Sequence, residues 1–320
     1  MRQWMEQHEV LTVAIAAIAI AILWYLRLVW AVGLIGFIIA ASLLPVIDFL
    51  QKRRMPRALA ILITYLAALA ILALVCIPIV LSFIGEAQGL TSDLTATLNR
   101  FLGPNSFFDQ IGVSAETAVS YIQSAIVPIT TSTMSVLAGV LSALVISIYT
   151  LYDWRDREET LAHGSAASSR IMGNILKDSE RDLGAWARGE LMLIVSIGIL
   201  TFIALLILGI PYAGPLAGLT GLFELIPYAG PIISAIPAIL IGLSISPTEG
   251  LIVTGVYIAI HQLENQLFVP LIMKNAVRIH PVIVILALLA GYEIMGILGA
   301  VIAVPLMIIV RILSVRLRLI

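Results

Sequence analysis

The chain is poor in cysteine, in charge and in enzyme motifs. Its 320 residues hold one cysteine, Cys76, which excludes a disulfide framework and any cysteine-built zinc or iron–sulfur site. Sitting in an apolar stretch, Cys76 reads as a small core hydrophobe. Charged side chains make up 12% of the residues, about half the ~25% usual for a soluble domain. Lys and Arg number 18 against 19 acids, a formal net charge of −1, so nucleic acid is excluded as a partner for want of a basic face. There is no HExxH zinc motif, no phosphate-cradling glycine loop with lysine and no nucleophile elbow. The chain therefore reads as a non-enzyme, with no cofactor and no metal motif.

What is present is hydrocarbon. Hydrophobic residues make up 61%, gathered in blocks of about 17–25, the length that crosses a bilayer as helix. The short alternating segments of membrane strands are missing. The pattern predicts an all-α polytopic integral membrane protein of seven to eight helical segments. Candidate spans are Val10–Leu26, Leu28–Ile47, Ala58–Ile84, Val136–Tyr152 and Leu191–Leu208, then an interrupted region Ile210–Leu243, then Leu251–Val269 and Val282–Val310. No cleavage site follows the first block, which reads as a retained span. In domain terms, residues 1–84 carry three N-terminal spans, 85–135 an extracytoplasmic insert, 136–152 the fourth span, 153–190 a charged cytoplasmic linker and helix, and 191–320 the functional region.

Basic residues give the orientation, since Lys and Arg near span ends stay cytoplasmic. Lys52, Arg53, Arg54 and Arg57 form one cluster. Arg155, Arg157, Arg170, Lys177, Arg181 and Arg188 form a second, and Arg311, Arg316 and Arg318 a third. Both termini are then cytoplasmic. The segment 85–135 carries Glu86, Asp93, Asp109 and Glu116 against Arg100 alone, which suits the opposite face. Its Leu90, Leu94, Leu98 and Phe101 recur at helical spacing, as an amphipathic helix lying on the outer surface or capping the spans would require.

The hexapeptide IPYAGP occurs twice, at Ile210–Pro215 and Ile226–Pro231. Each copy joins a proline, which cannot donate, to a glycine tolerant of left-handed geometry, so a continuous helix is improbable at either point. Pro211, Gly214 and Pro215 mark one break; Pro227, Gly230 and Pro231 mark the other. The arms beside the second copy, about a dozen residues each, are too short to cross ~30 Å at 1.5 Å per residue. They predict a re-entrant hairpin entering from outside, which also returns Lys274 and Arg278 to the cytoplasmic side. Gly291, Gly296 and Gly299 interrupt the terminal block, so that 282–290 and 296–310 can fold as a second hairpin entering from the cytoplasm, the alternative for this block, as for 210–243, being a kinked span. Broken helices survive at membrane depth where protein or a water-filled cavity surrounds them.

Polar residues mark the pathway. His261, Glu264 and Asn265 share one face of an apolar span whose polar run also holds Gln262 and Gln266. Glu224 stands between the two hexapeptides, and Glu293 lies in the expected turn of the second hairpin. A charge at mid-bilayer costs ~2.5–3.5 kcal/mol on insertion scales, which makes each a candidate for binding a solute or relaying a cation. His280-Pro281 reads as a helix-start signal.

The run from Trp186 to Pro305 holds GIPYAGPLAGLTGLFELIPYAGPIISAIPAILIGL, then HQLENQLFVPLIM, IHP at Ile279–Pro281 and GILGAVIAVP at Gly296–Pro305. In combination these resemble the autoinducer-2 exporter (AI-2E) family of bacterial membrane transporters. They cover about the last 135 residues well; the first four spans match only in layout. The resemblance implies an inner-membrane homo-oligomer, a pentamer, moving a small polar solute by an elevator-like displacement of its hairpins. Some relatives export autoinducer-2, and others are described as sodium or lithium/proton antiporters. The family's motifs fall on Pro227, Gly230 and Pro231 and on His261, Glu264, Asn265 and Pro270. The chain departs from the pattern at Lys274-Asn275, where a glycine usually opens the turn, and at Glu190, where glutamine is usual.

Overall fold

The computed structural model describes residues 21–22, 24–102, 133–162, 167–273 and 280–317. Most of the first expected span and the segment 103–132 lie outside the described residues. Among the described residues every regular element is a helix. They are α1 Arg27–Lys52, α2 Arg57–Leu102, α3 Thr133–Ala162, α4 Ala167–Ile207, α5 Ala213–Phe223, α6 Ala229–Ile245, α7 Pro247–Leu263, a π-helical turn Glu264–Phe268, α8 Val269–Ile272 and α9 Pro281–Arg316. Four stretches are long and apolar enough to cross a bilayer: Arg27–Lys52, Arg57–Ser82, Ser169–Ile207 and Pro281–Arg316. Large apolar side chains such as Leu74, Ile207 and Leu251 point outward, as a chain solvated by lipid requires.

Small residues set the helix crossings. Burying apolar surface gives little drive inside lipid, so helices associate where backbones approach closely. A Cβ on Gly36 would meet the Ala143 carbonyl, where α1 crosses α3, and one on Gly184 would meet the Ala41 carbonyl, where α1 crosses α4. Helix α4 is the central post, packed against α1, α3, α5, α7, the π turn, α8 and α9. At one end, Ile175 and Leu183 of α4 share a core with Ile38, Ile308 and Ile312, while Asp178 accepts from Arg316. At the other end, Leu205 joins Leu90, Leu94, Ile210, Ala213, Leu216, Ala238 and Ile241. Those two levels are ~40 Å apart along the helix.

The two hairpins use opposite ends of this post. The chain leaves α4, turns through Gly209–Tyr212 and comes back as α5, so that Gly221 lies against Ile194. At 11 residues α5 spans ~16 Å, about half a bilayer core. It reverses again at Glu224–Tyr228 into α6, whose 17 residues make this arm longer than the expected dozen. The second hairpin lies within α9, where Met295 and Gly296 leave helical geometry and Gly296 takes φ +63°. Its arms run antiparallel: Val284 and Leu288 pack on Ala300 and Ala303, and Gly291 meets Gly299 backbone to backbone. Ile226, at the tip of the first hairpin, packs into that same cluster. The tip of one hairpin therefore rests on the arms of the other.

Three expectations need correcting. In the two hexapeptides the left-handed residue is tyrosine, Tyr212 at φ +62° and Tyr228 at φ +65°. Gly214 and Gly230 lie inside the first turns of α5 and α6 and are required by close approach instead: a Cβ on Gly214 would stand 2.6 Å from Ser82 Oγ, and one on Gly230 would overlap the Phe223 carbonyl. Likewise, of the three glycines only Gly296 sits at the break in α9, beside Met295, whereas Gly291 and Gly299 are crossing points within its arms. Finally, residues 85–102 continue α2 without interruption. Of the two expected placements it takes the capping one: this overhang stands against the base of the first hairpin, with Leu90 and Leu94 in its core and Tyr212 donating to Asp93 Oδ2 at 2.9 Å.

Candidate functional site

The polar run after Ile260 has a local cause for its shape. Pro270 lacks an N–H, and its ring would collide with the carbonyl four residues earlier, that of Gln266. The helix widens ahead of it, and the Val269 N–H bonds the Glu264 carbonyl five residues back. One wide turn rotates Glu264 inward until it is 7% exposed; such π turns recur at functional sites. His261 Nδ1 lies 3.0 Å from Glu264 Oε2. Asn265 Nδ2 donates to the His261 carbonyl at 2.9 Å, tying the turn together. Gln262 and Gln266 are exposed on another face and bond each other at 3.1 Å.

Glu224 comes to the same place by a different route. It ends α5 at the tip of the first hairpin, where the Ile226 N–H bonds the Phe223 carbonyl and the Gly230 N–H bonds the Ile226 carbonyl. The tight reversal turns the side chain inward until it is 4% exposed, with Oε1 unbonded among the described residues. One carboxylate or imidazole atom from each of Glu224, His261 and Glu264 lies within 4.8 Å of the others. Above them Tyr257 bonds Thr220 at 3.0 Å, joining α7 to α5.

These groups line a cavity of about 450 Å³ between the hairpins and α4. Its wall includes Glu224, Pro227, Tyr228 and Pro231 from the first hairpin, His261, Glu264 and Asn265 from the interrupted helix, and Val284 and Val304 from the second hairpin. Helix α4 supplies Trp186, Glu190 and Leu193. Glu190 stands ~18 Å along α4 from Asp178 and ~22 Å from Leu205, near the midpoint of the post. Being 5% exposed, it brings a third buried carboxylate to the cavity.

Most residues singled out from the sequence thus converge here, and Gly230 is the buried contact on which the tip closes. Glu293 does not converge: it is exposed, just before the reversal of α9, and forms no part of the wall. Glu190, visible in the sequence as a departure from the family pattern, and Trp186 are cavity residues that position along the chain did not reveal. The signal for Glu190 was an acid at the point where the charged half of α4 gives way to its apolar half. His280 caps α9, accepting from the Val282 N–H, with Pro281 in the first turn.

Opposed hairpins around buried acids, in a bundle of apolar helices, define a membrane transporter, with interrupted helices meeting near the middle of the fold. The chain belongs to the AI-2E family of transporters, whose pattern it matches over residues 13–318. It is 29% identical over 290 residues to YueF of Bacillus subtilis strain 168, described as a transport protein, covering 83% of this chain and 78% of that one. MT0215 of Mycobacterium tuberculosis, also described as a transport protein, is 28% identical over 309 residues, 91% of this chain and 84% of its own. PerM of Escherichia coli K12, described as a permease, is 25% identical over 268 residues, 77% and 74% of the two chains.

Proposed function

We propose that the protein is a secondary transporter exporting a small polar solute of the autoinducer-2 kind, coupled to an ion through Glu224 and Glu264. The cavity carries this reading: about 450 Å³ falls within the ~300–1,000 Å³ of small-molecule sites, and its three acids come from three different elements, the hairpin tip, the π turn and α4. Glu224 rides on a hairpin held by short turns, while Glu190 sits on the post. Displacement of the hairpins, elevator fashion, would carry the solute past that fixed acid. The basic clusters support a bacterial inner-membrane protein with both termini cytoplasmic. Outward-facing apolar surfaces are compatible with lipid and with further copies of the chain in a homo-oligomer, a pentamer by family resemblance.

The concentration of acids favours a second reading, a sodium or lithium/proton antiporter on the same scaffold. From another class, a passive channel or non-transporting scaffold gives no reason for a walled cavity with buried acids. Reconstitution separates the three. With Glu264→Gln the protein should assemble as before and lose ion-dependent solute flux in proteoliposomes; unchanged flux would remove Glu264 from the coupling role. Antiport would instead show sodium-dependent proton flux without organic solute. A channel would pass ions orders of magnitude faster than an elevator.

A further inference from the structure

We propose that Glu224, His261 and Glu264 form a binding site for a divalent first-row transition-metal cation, held between the hairpin tip and the π turn. The cation's role, as the ion recognised by the pathway, rests on the transport reading; the site itself rests on geometry. The three ligand atoms lie within 4.8 Å of one another. Atoms on opposite sides of a metal ~2.1 Å from each are ~4.2 Å apart, so small side-chain rotations suffice for all three to share one ion. The 3.0 Å between His261 Nδ1 and Glu264 Oε2 is the spacing of two ligands at about a right angle on such an ion.

The unpartnered atom is the second observation. Glu224 is 4% exposed, lines the cavity and leaves Oε1 without a partner. A buried, unpaired carboxylate oxygen is costly, and a cation removes that cost. Among the described residues no lysine or arginine is paired with Glu224 or Glu264. Arg188, close to Glu190 in sequence, donates to the carbonyls of Ala41 and Ser42. Glu190 brings a third carboxyl group from the facing helix.

The donor set selects the ion. An imidazole with two carboxylates suits Mn²⁺, Fe²⁺, Co²⁺ or Zn²⁺. Calcium and magnesium are hard ions that favour all-oxygen sites, and the alkali cations, which likewise take oxygen ligands, would leave the histidine idle. The site therefore distinguishes a transition metal from sodium or lithium at the same acids.

The test uses tag-free, full-length protein in detergent, stripped by chelator and titrated with MnCl₂ under electron paramagnetic resonance. Loss of the free-ion signal should saturate at one Mn²⁺ per chain, with displacement by Zn²⁺ but not by excess Na⁺, and bound Mn²⁺ should show nitrogen coupling. Glu224→Gln and His261→Gln should each weaken binding at least about tenfold, the latter abolishing the nitrogen coupling, while Glu293→Gln binds as wild type. Size-exclusion profiles restrict the comparison to assembled protein; if a variant fails to assemble, nitrogen coupling in the wild type decides. No saturable binding of Mn²⁺, Co²⁺ or Zn²⁺, or binding undiminished in both variants, would overturn the site. Because binding is read without flux, a protein that binds metal but moves nothing would overturn the transport reading and leave the site standing.

Discussion

Single residues decide whether the cavity exists. Gly230 has no room for even a methyl group, since a Cβ there would overlap the Phe223 carbonyl that closes the hairpin tip. Gly230→Ala should therefore cost about 1–3 kcal/mol, typical of an overpacked site, and appear as a lower midpoint in detergent thermal unfolding. Gly33→Ala, with open space around it inside α1, is the control and should leave the midpoint unchanged or slightly raised. Glu190 is the fixed acid on the post. Glu190→Gln removes one of three buried carboxylates while keeping its size, so the fold should survive and the apparent affinity for the coupling ion should fall roughly tenfold. An unaltered ion dependence of flux would separate Glu190 from the site. Sequence alone identified Glu224 and Glu264 because an acid in hydrocarbon is conspicuous wherever it stands. Glu293 looked equivalent by that logic, yet its helix face points outward, and helix rotation is set by neighbours that the chain does not name in order.

At the scale of elements, the repeated hexapeptide starts a helix both times and serves two purposes. Both copies begin a helix at Ala, behind a tyrosine in positive φ. The first copy stands at the base of the hairpin, tied to the α2 overhang through Tyr212 and Asp93; the second stands at the tip, where Tyr228 lines the cavity. The second hairpin shows how a long apolar block misleads. By length and composition Pro281–Arg316 crosses a membrane, but Gly296 reverses it and brings Leu288 beside Ala300. In a straight helix those two positions would be ~18 Å apart. Cysteines placed at both, with Cys76 replaced by alanine, should be joined by a short bifunctional thiol reagent and recovered as one cross-linked peptide by mass spectrometry. Failure to cross-link would argue for a rod.

Across the whole molecule, polarity runs along α4. Asp178, bonded to Arg316, marks one end, and the α2 overhang with Asp93 marks the other, beyond Leu205. The first hairpin starts from the second end, and the second hairpin finishes at the first. If the basic clusters orient the chain as they do in other membrane proteins, Arg181→Cys should react with an impermeant thiol reagent only from the cytoplasmic face and Ser92→Cys only from outside. Labelling of both from one face would overturn the orientation and the opposed arrangement of the hairpins in the bilayer.

The helical class, the membrane setting and the two interrupted regions were legible in the chain, because each follows from local rules: the length of an apolar block, proline's missing donor, and the cost of a charge in lipid. Which residue of a break takes the strain, which glycines are crossing points and which acids share a cavity depended on contacts between segments far apart in sequence. Gly230 is needed because Phe223 folds back beneath it, and Glu190 joins Glu224 because α5 returns along α4. Those proximities are set by backbones packing closely in the assembled bundle, and spacing along one chain does not encode them.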